Sequence, residues 1–166
     1  MPVSTAANSD TFKVSTPSDR EIRMTRLFNA PRHLVFEAMS RPEHIKQWWG
    51  RLGEGYSVPV CEVDFRPGGT WRFVNRHPHG EAAFQGVYRE IAPPERVVFT
   101  EIFEDFPDAD VTSVLTEEGG KTRLTATVVY PSIEVRDAVI ASGMAKGAGI
   151  SYDRLEDVLA ELSARG

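Results

Sequence analysis

The chain has 166 residues, 41% apolar and 26% charged, and its 19 basic and 24 acidic side chains give a net charge of −5. This composition excludes a disordered chain, a collagen-like repeat and a bare coiled coil, and no run approaches the roughly 18 consecutive apolar residues of a membrane span. Arg and Glu are interleaved rather than blocked, so neither nucleic acid nor an anionic membrane surface is expected as a partner. Cys61 is the only cysteine, which excludes an intramolecular disulfide. The first residues, Met1 to Thr11, have neither a basic nor an apolar stretch of the kind a secretory signal needs. A cytoplasmic protein of one domain, monomer or homodimer, is expected.

Residues 1–18 are rich in Ser, Thr and Ala. They are predicted to form a flexible tail whose last part, with Phe12 and Val14, lies along a sheet. The domain is expected to occupy residues 19–166. From Arg20 to Phe28 the apolar residues Ile22 and Met24 alternate with polar ones, as in a strand. Asn29-Ala30-Pro31 punctuates. Leu34, Val35, Ala38 and Met39 then recur at helical spacing to about Ser40, with Pro31 at a first-turn position where its missing N–H is harmless. Pro42 opens a second short helix with Ile45 and Trp48 on one side.

Six strand-like runs follow, each closed by a turn signal. Val58–Phe65 ends at Pro67-Gly68-Gly69, and Thr70–Arg76 at His77-Pro78-His79-Gly80. Ala82–Ile91 ends at Ala92-Pro93-Pro94-Glu95, and Arg96–Glu104 at an acidic loop to Asp110. Val111–Thr116 ends at Glu118-Gly119-Gly120-Lys121, and Thr122–Tyr130 at Pro131. This is the pattern of an antiparallel meander. Ser132 is placed as an N-cap with Glu134 in the first turn. Leu155, Val158, Leu159 and Leu162 form a helical stripe. Three glycines between Gly143 and Gly149 either break the last helix or admit a close neighbour. One strand, two short helices, six strands and a long helix give an α+β domain in which about seven antiparallel strands curve round the C-terminal helix. Such a sheet leaves room between itself and the helix.

Strand alternation sets Trp71, Phe73 and Asn75 on one face, and likewise Phe84, Gly86 and Tyr88. Val97, Phe99, Glu101 and Phe103 share a third such face. The aromatic faces point most simply at the helix, as core or as pocket wall. Glu101 then faces inward between Phe99 and Phe103. It is either a polar anchor or a general acid/base with a raised pKa, or a bulge or an arginine partner relieves it. Trp48 and Trp49 cannot face the same way, so one caps the core and Trp49 is placed at the cavity entrance. His77 and His79 flank Pro78, but a metal site needs a third and a fourth ligand. Cys61 and His44 lie on other elements, so no metal is expected. No nucleophile elbow or phosphate loop is present, and no cofactor is implied. Cys61 is read as an inert, buried thiol.

Four motifs carry a family resemblance. They are Phe28-Asn29-Ala30-Pro31 through Pro42-Glu43-His44 to Trp48-Trp49-Gly50; Asp64, Arg66-Pro67-Gly68-Gly69 and Trp71-Arg72; Gly86, Tyr88, Glu90-Ile91 and Pro93-Pro94-Glu95-Arg96-Val97; and Gly143-Met144, Gly147 and Asp153-Arg154-Leu155. In this order, over about residues 20–163, the chain resembles homologues of the activator of heat-shock protein 90 ATPase, within the START-like (SRPBCC) superfamily. The resemblance implies a helix-grip fold with a deep cavity between sheet and helix. Superfamily members bind lipids, hormones, polyketides and other apolar molecules, and a few are cyclases or hydrolases. The family's name comes from a co-chaperone with a separate docking domain, for which this chain is expected to have no room. Ala148 stands where the family commonly carries a large aromatic, which would enlarge the cavity or open its mouth.

The expected function is binding of a small, mostly apolar molecule. The expected ligand-binding residues are Trp49, Trp71, Phe73, Phe84, Tyr88, Phe99, Glu101 and Phe103, with Met144, Ala148 and Tyr152 contributed by the helix. The alternatives are a cyclase- or hydrolase-type enzyme using a cavity acid, and a co-chaperone-like interaction role.

Overall fold

A computed structural model describes residues 11–165. Within them the chain forms β1 (Phe12–Ser15), β2 (Glu21–Phe28), α1 (Arg32–Ser40) and α2 (Pro42–Trp48). It continues through β3 (Ser57–Val63), β4 (Thr70–His77), β5 (Gly80–Ala92), β6 (Arg96–Phe103), β7 (Ala109–Glu118) and β8 (Lys121–Val129). Two helices close it, α3 (Ile133–Ala141) and α4 (Met144–Arg165).

All neighbouring strands are antiparallel, in the order β1-β2-β8-β7-β6-β5-β4-β3. The predicted meander is therefore β3 to β8. The two short helices carry the chain from β2 to the far edge, and the meander returns to lie beside β2. Turn chemistry sets the hairpins. Gly119 and Gly120 both have positive φ, +58° and +82°, and join Glu118 to the paired Lys121 by a two-residue turn of the kind that matches strand twist.

Two features refine the sequence reading. The sheet has eight strands rather than about seven, because Phe12–Ser15, placed in the tail, pairs with Arg23–Arg26. Phe12 and Val14 are buried, and burying that alternating pair is what draws the segment onto the sheet. The rest of the expected flexible tail, residues 1–10, lies outside the described residues. The C-terminal helical region is two helices, the break being one of the two readings its glycines allowed. Gly143, at φ +86°, ends α3 in a backbone conformation that favours glycine. Ser132 caps α3, its Oγ accepting from the Val135 N–H.

The middle of α4 is fastened to the start of the sheet. Leu155 and Leu159 are fully buried and Val158 is buried. The buried Arg26 side chain on β2 reaches Asp153 at 2.6 Å and lies over the Phe28 ring. The Asn29 N–H donates to the Glu156 carboxylate at 3.2 Å. Gly149 lets the Phe12 ring approach, since a β-carbon there would stand 3.2 Å from it.

At the centre of the sheet, β5 and β6 pair at Phe84↔Phe103 and Gln85↔Ile102, and again at Tyr88↔Phe99. In that register Gly86 stands across from Glu101. The ladder opens there, and the Val87 N–H donates instead to Thr100 Oγ1 at 3.0 Å. The Trp71 indole crosses Gly86 and donates to the Thr100 carbonyl at 3.2 Å. A β-carbon on Gly86 would lie 1.8 Å from that carbonyl oxygen and 2.8 Å from the indole nitrogen. The space left by glycine is thus filled by the Thr100 carbonyl, with the Trp71 indole beside it. Backbone and a hydrogen-bonded ring must both move to admit a methyl group, so Gly86→Ala is expected to destabilise the fold by about 3 kcal/mol. Urea unfolding measures this, and a loss below about 0.5 kcal/mol would contradict the crowding.

Candidate binding cavity

The alternating faces of β4, β5 and β6 all point toward α4, and the space between sheet and helix is not filled. It forms a cavity of about 630 Å³. Trp71, Phe73, Phe84, Tyr88, Phe99 and Phe103 border it, as does Glu101. From the helical side come Trp49 after α2 and Met144, Ala148 and Tyr152 of α4. All eleven residues expected to contact a ligand therefore face one space.

The wall is a connected set of rings. Trp49 packs edge-on against Phe73 at 5.0 Å and Phe84 at 4.8 Å between centroids. Phe84 stacks on Phe103 at 4.5 Å, and Phe103 stacks on Phe106. Trp71 meets Phe73 and Phe99. Such edge and stacked pairs hold one another's orientation beyond what area burial does. The two adjacent tryptophans divide their work. Trp48 is buried, its Nε1 donating to the Ala38 carbonyl at 3.0 Å, whereas Trp49 is half-buried against the cavity wall.

The floor is polar at one place. The Glu101 side chain makes no hydrogen bond or ion pair with any described residue, and removal from water pushes its carboxyl up to about 7. Its side chain is partly accessible, but to the cavity, so accessible area and depth describe the same position. Neither a bulge nor an arginine relieves it. The Glu101 charge acts on two phenols, Tyr130 and Tyr152. Burial chiefly, and then that charge, hold both above the usual tyrosine range. A second polar point is Asn75. Its Nδ2 donates to the Gly50 carbonyl at 3.2 Å, while its Oδ1 is buried without a partner.

Sequence reasoning missed several bordering residues. Tyr130 continues the alternation of Leu124, Ala126 and Val128, all of which border the cavity, so period two would have found it. Asn75 was placed on the right face and not chosen. The rim also takes Leu52, Phe106 and the two hairpin histidines, His77 and His79. His77 ends β4 and continues the Trp71, Phe73, Asn75 alternation, so period two would have found it as well, whereas Leu52, Phe106 and His79 lie outside strands, where no periodicity gives a direction. Cys61 sits outside the cavity lining, its thiol directed at the Pro42 carbonyl and raised to about 11, chiefly by burial. Among the described residues no group of three or more His, Cys, Asp or Glu side chains is gathered for a metal ion. No helix among them is long and apolar enough to cross a membrane.

An antiparallel sheet curved round a long C-terminal helix, with a hollow between the two, is the helix-grip architecture of START-like proteins. The family model described as activator of Hsp90 ATPase homolog 1-like protein matches residues 29–160, and the chain belongs to that family. Solved structures agree on the fold. A protein from Rhodobacter sphaeroides superposes with a TM-score of 0.83 at 28% identity, covering 91% of this chain and 99% of that one. One from Mycobacterium smegmatis gives 0.82 at 23%, covering 90% and 96%. One from Chromobacterium violaceum gives 0.73 at 26%, covering 84% and 97%. No curated protein sequence matches.

The raised Glu101 has a thermodynamic signature. Between about pH 4.5 and 7 the folded chain keeps a proton at Glu101 that the unfolded chain has lost. Stability attached to this group is therefore fully present below that window and declines as pH rises through it. Glu101→Gln is expected to abolish the decline and to be more stable than the parent at pH 8 by about 1–3 kcal/mol. Urea midpoints of both proteins at pH 5 and pH 8 measure it. Parallel pH trends in the two would show that Glu101 is not held protonated.

Proposed function

We propose that the protein is a cytoplasmic, single-domain binder of a small, mostly apolar molecule held between the sheet and α4. The observation that carries this reading is the cavity itself: about 630 Å³ of aromatic-walled space with one unpartnered carboxyl group. Its volume lies within the range of small-molecule sites, which are apolar with a few placed polar groups. Protein interiors are otherwise close-packed, and an unfilled core costs stability that filling it would recover. The aromatic wall supplies area, and Glu101 with Tyr130 and Tyr152 supplies orientation.

Entry is assigned to the rim between Leu52, Phe106 and Met144, where α4 begins after Gly143. Gly147, against which Leu52 packs, and Ala148 contribute little side-chain volume on that side. Native mass spectrometry of protein purified from its own host, searching for a retained small molecule, tests the reading directly. Uptake should also change the tryptophan fluorescence, because Trp49 and Trp71 border the site. Ala148→Trp is expected to fill the cavity and weaken uptake at least tenfold, a loss of about 1.4 kcal/mol or more, while the fold persists. Unchanged affinity in a folded Ala148→Trp protein would place the ligand elsewhere.

A second reading, an enzyme of the cyclase or hydrolase kind, is favoured by one fact. Glu101 is held near neutrality, where a general acid/base works best. Chemically altered product in the mass spectra would move the assignment to it. The co-chaperone reading finds less support. The large apolar side chains exposed among the described residues are Val87 and Ile133, on β5 and α3, whereas docking surfaces are contiguous patches.

A further inference from the structure

We propose that the molecule bound here carries a basic nitrogen, and that its ammonium group pairs with the Glu101 carboxylate inside the aromatic wall. This rests on the binding role just proposed and names the chemistry of the guest.

Most of the polar groups bordering the cavity that no described residue satisfies are acceptors, with the Trp49 indole N–H as an open donor beside them. Three fixed donors that border the cavity are already engaged by the protein. Trp71 Nε1 donates to the Thr100 carbonyl, Trp48 Nε1 to the Ala38 carbonyl and Asn75 Nδ2 to the Gly50 carbonyl. The acceptors are left open. Both Glu101 oxygens lack a partner among the described residues, and Asn75 Oδ1 is buried without one. The Tyr130 and Tyr152 hydroxyls can serve either way. What such a surplus of acceptors lacks is a group with several donors. An ammonium provides these, and provides as well the countercharge that a desolvated carboxylate needs.

No described residue supplies that countercharge. Arg26 stands behind Tyr152 and is engaged by Asp153 and Glu156. Arg96 is engaged by Glu90. His77 and His79 stay at the rim, where the His77 ring accepts from the His79 backbone N–H. The aromatic wall favours the same guest. Ring faces attract cations, most strongly when water is excluded, and they favour neither hydroxyls nor carboxylates in that way.

Binding then moves one proton. The folded protein holds Glu101 as the acid near neutrality. When an ammonium arrives, the carboxyl O–H bond breaks, the proton leaves to solvent, and the carboxylate pairs with the cation. The groups facing Glu101 are the phenols of Tyr130, after β8, and Tyr152, on α4, with Arg26 of β2 acting on Tyr152. Both phenols are raised and stay neutral throughout, so Glu101 is the group that titrates.

Calorimetry with three probes of one shape, 4-phenylbutylamine, 4-phenylbutanol and 4-phenylbutyrate, tests this on the full chain. At pH 8 the amine is expected to bind at least about tenfold tighter than the alcohol, with the carboxylate weakest. From pH 8 to pH 6 amine affinity should fall about tenfold, with close to one proton released to buffer per amine bound at pH 6. Glu101→Gln should bring amine and alcohol within about twofold of each other. The proton count needs no variant and stands if Glu101→Gln folds poorly. An alcohol that binds as tightly as the amine overturns the basic nitrogen and leaves the apolar-guest role intact. An amine preference that survives in folded Glu101→Gln overturns the role of Glu101. Failure of all three probes to bind overturns both proposals.

Discussion

The two halves of α4 are held differently, and the hollow follows from that. The C-terminal half fills its share of the interior with Leu155, Val158 and Leu159 and is clamped by Arg26 through Asp153. In the N-terminal half the run Met144-Ala145-Lys146-Gly147-Ala148-Gly149 has little side-chain volume. A helix axis lies roughly 10 Å from a sheet on which it packs, and only large side chains span that gap. One half of the helix closes the core and the other roofs a space it cannot fill. The break at Gly143 places the start of α4 at the rim of that space.

The opposite wall is rigid for a complementary reason. Gly86 lets β5 and β6 approach so closely that a carbonyl of β6 reaches the indole of β4. Trp71 is thereby fixed, and through ring contacts so are Phe73 and Phe99. Across from that glycine stands Glu101, facing inward among rings. A desolvated carboxyl with no partner works against folding, and its elevated pKa measures how strongly. A structural role would call for an arginine or an apolar side chain there. Proteins break local rules of this kind mainly at functional sites, which is why a single acid outweighs six aromatic residues as evidence of use.

Much of this was legible in the sequence because strands have a period of two. Once the turns at Gly68-Gly69, His77–Gly80 and Gly119-Gly120 were read, alternation gave the inward sets on β4, β5 and β6, with Glu101 among them unless a bulge turned it out. The helix stripe fixed Leu155 and Leu159 in the same way. What escaped was information held between elements. Phe12 and Val14 gave only two alternating positions, enough to lay the end of the tail along a sheet but not to count it as a strand, and the Phe12 ring packs against a glycine 137 residues further on. Alternation set Gly86 on a face with Phe84 and Tyr88, but only the fold reveals that the Thr100 carbonyl and the Trp71 indole close over it. The glycines of α4 posed a choice between a helix break and a close neighbour. The structure uses both, the first at Gly143 and the second at Gly149.

Family membership and the cavity answer different questions. The matched motifs at Pro42-Glu43-His44, Arg66-Pro67-Gly68-Gly69 and Pro93-Pro94-Glu95 lie on helix starts and turns, which set the path of the chain and hence the fold. The side chains that would distinguish one guest from another are the inward-facing ones, and the fold constrains them only to be large or small. A residue such as Ala148 can change there without disturbing the path, as can the identity of the one acid on the floor. The same framework can therefore serve chains with different guests, and fold alone does not select among them. Selection rests with the few groups that the framework leaves unsatisfied: in this chain, a carboxyl, an amide oxygen and two phenols set among rings.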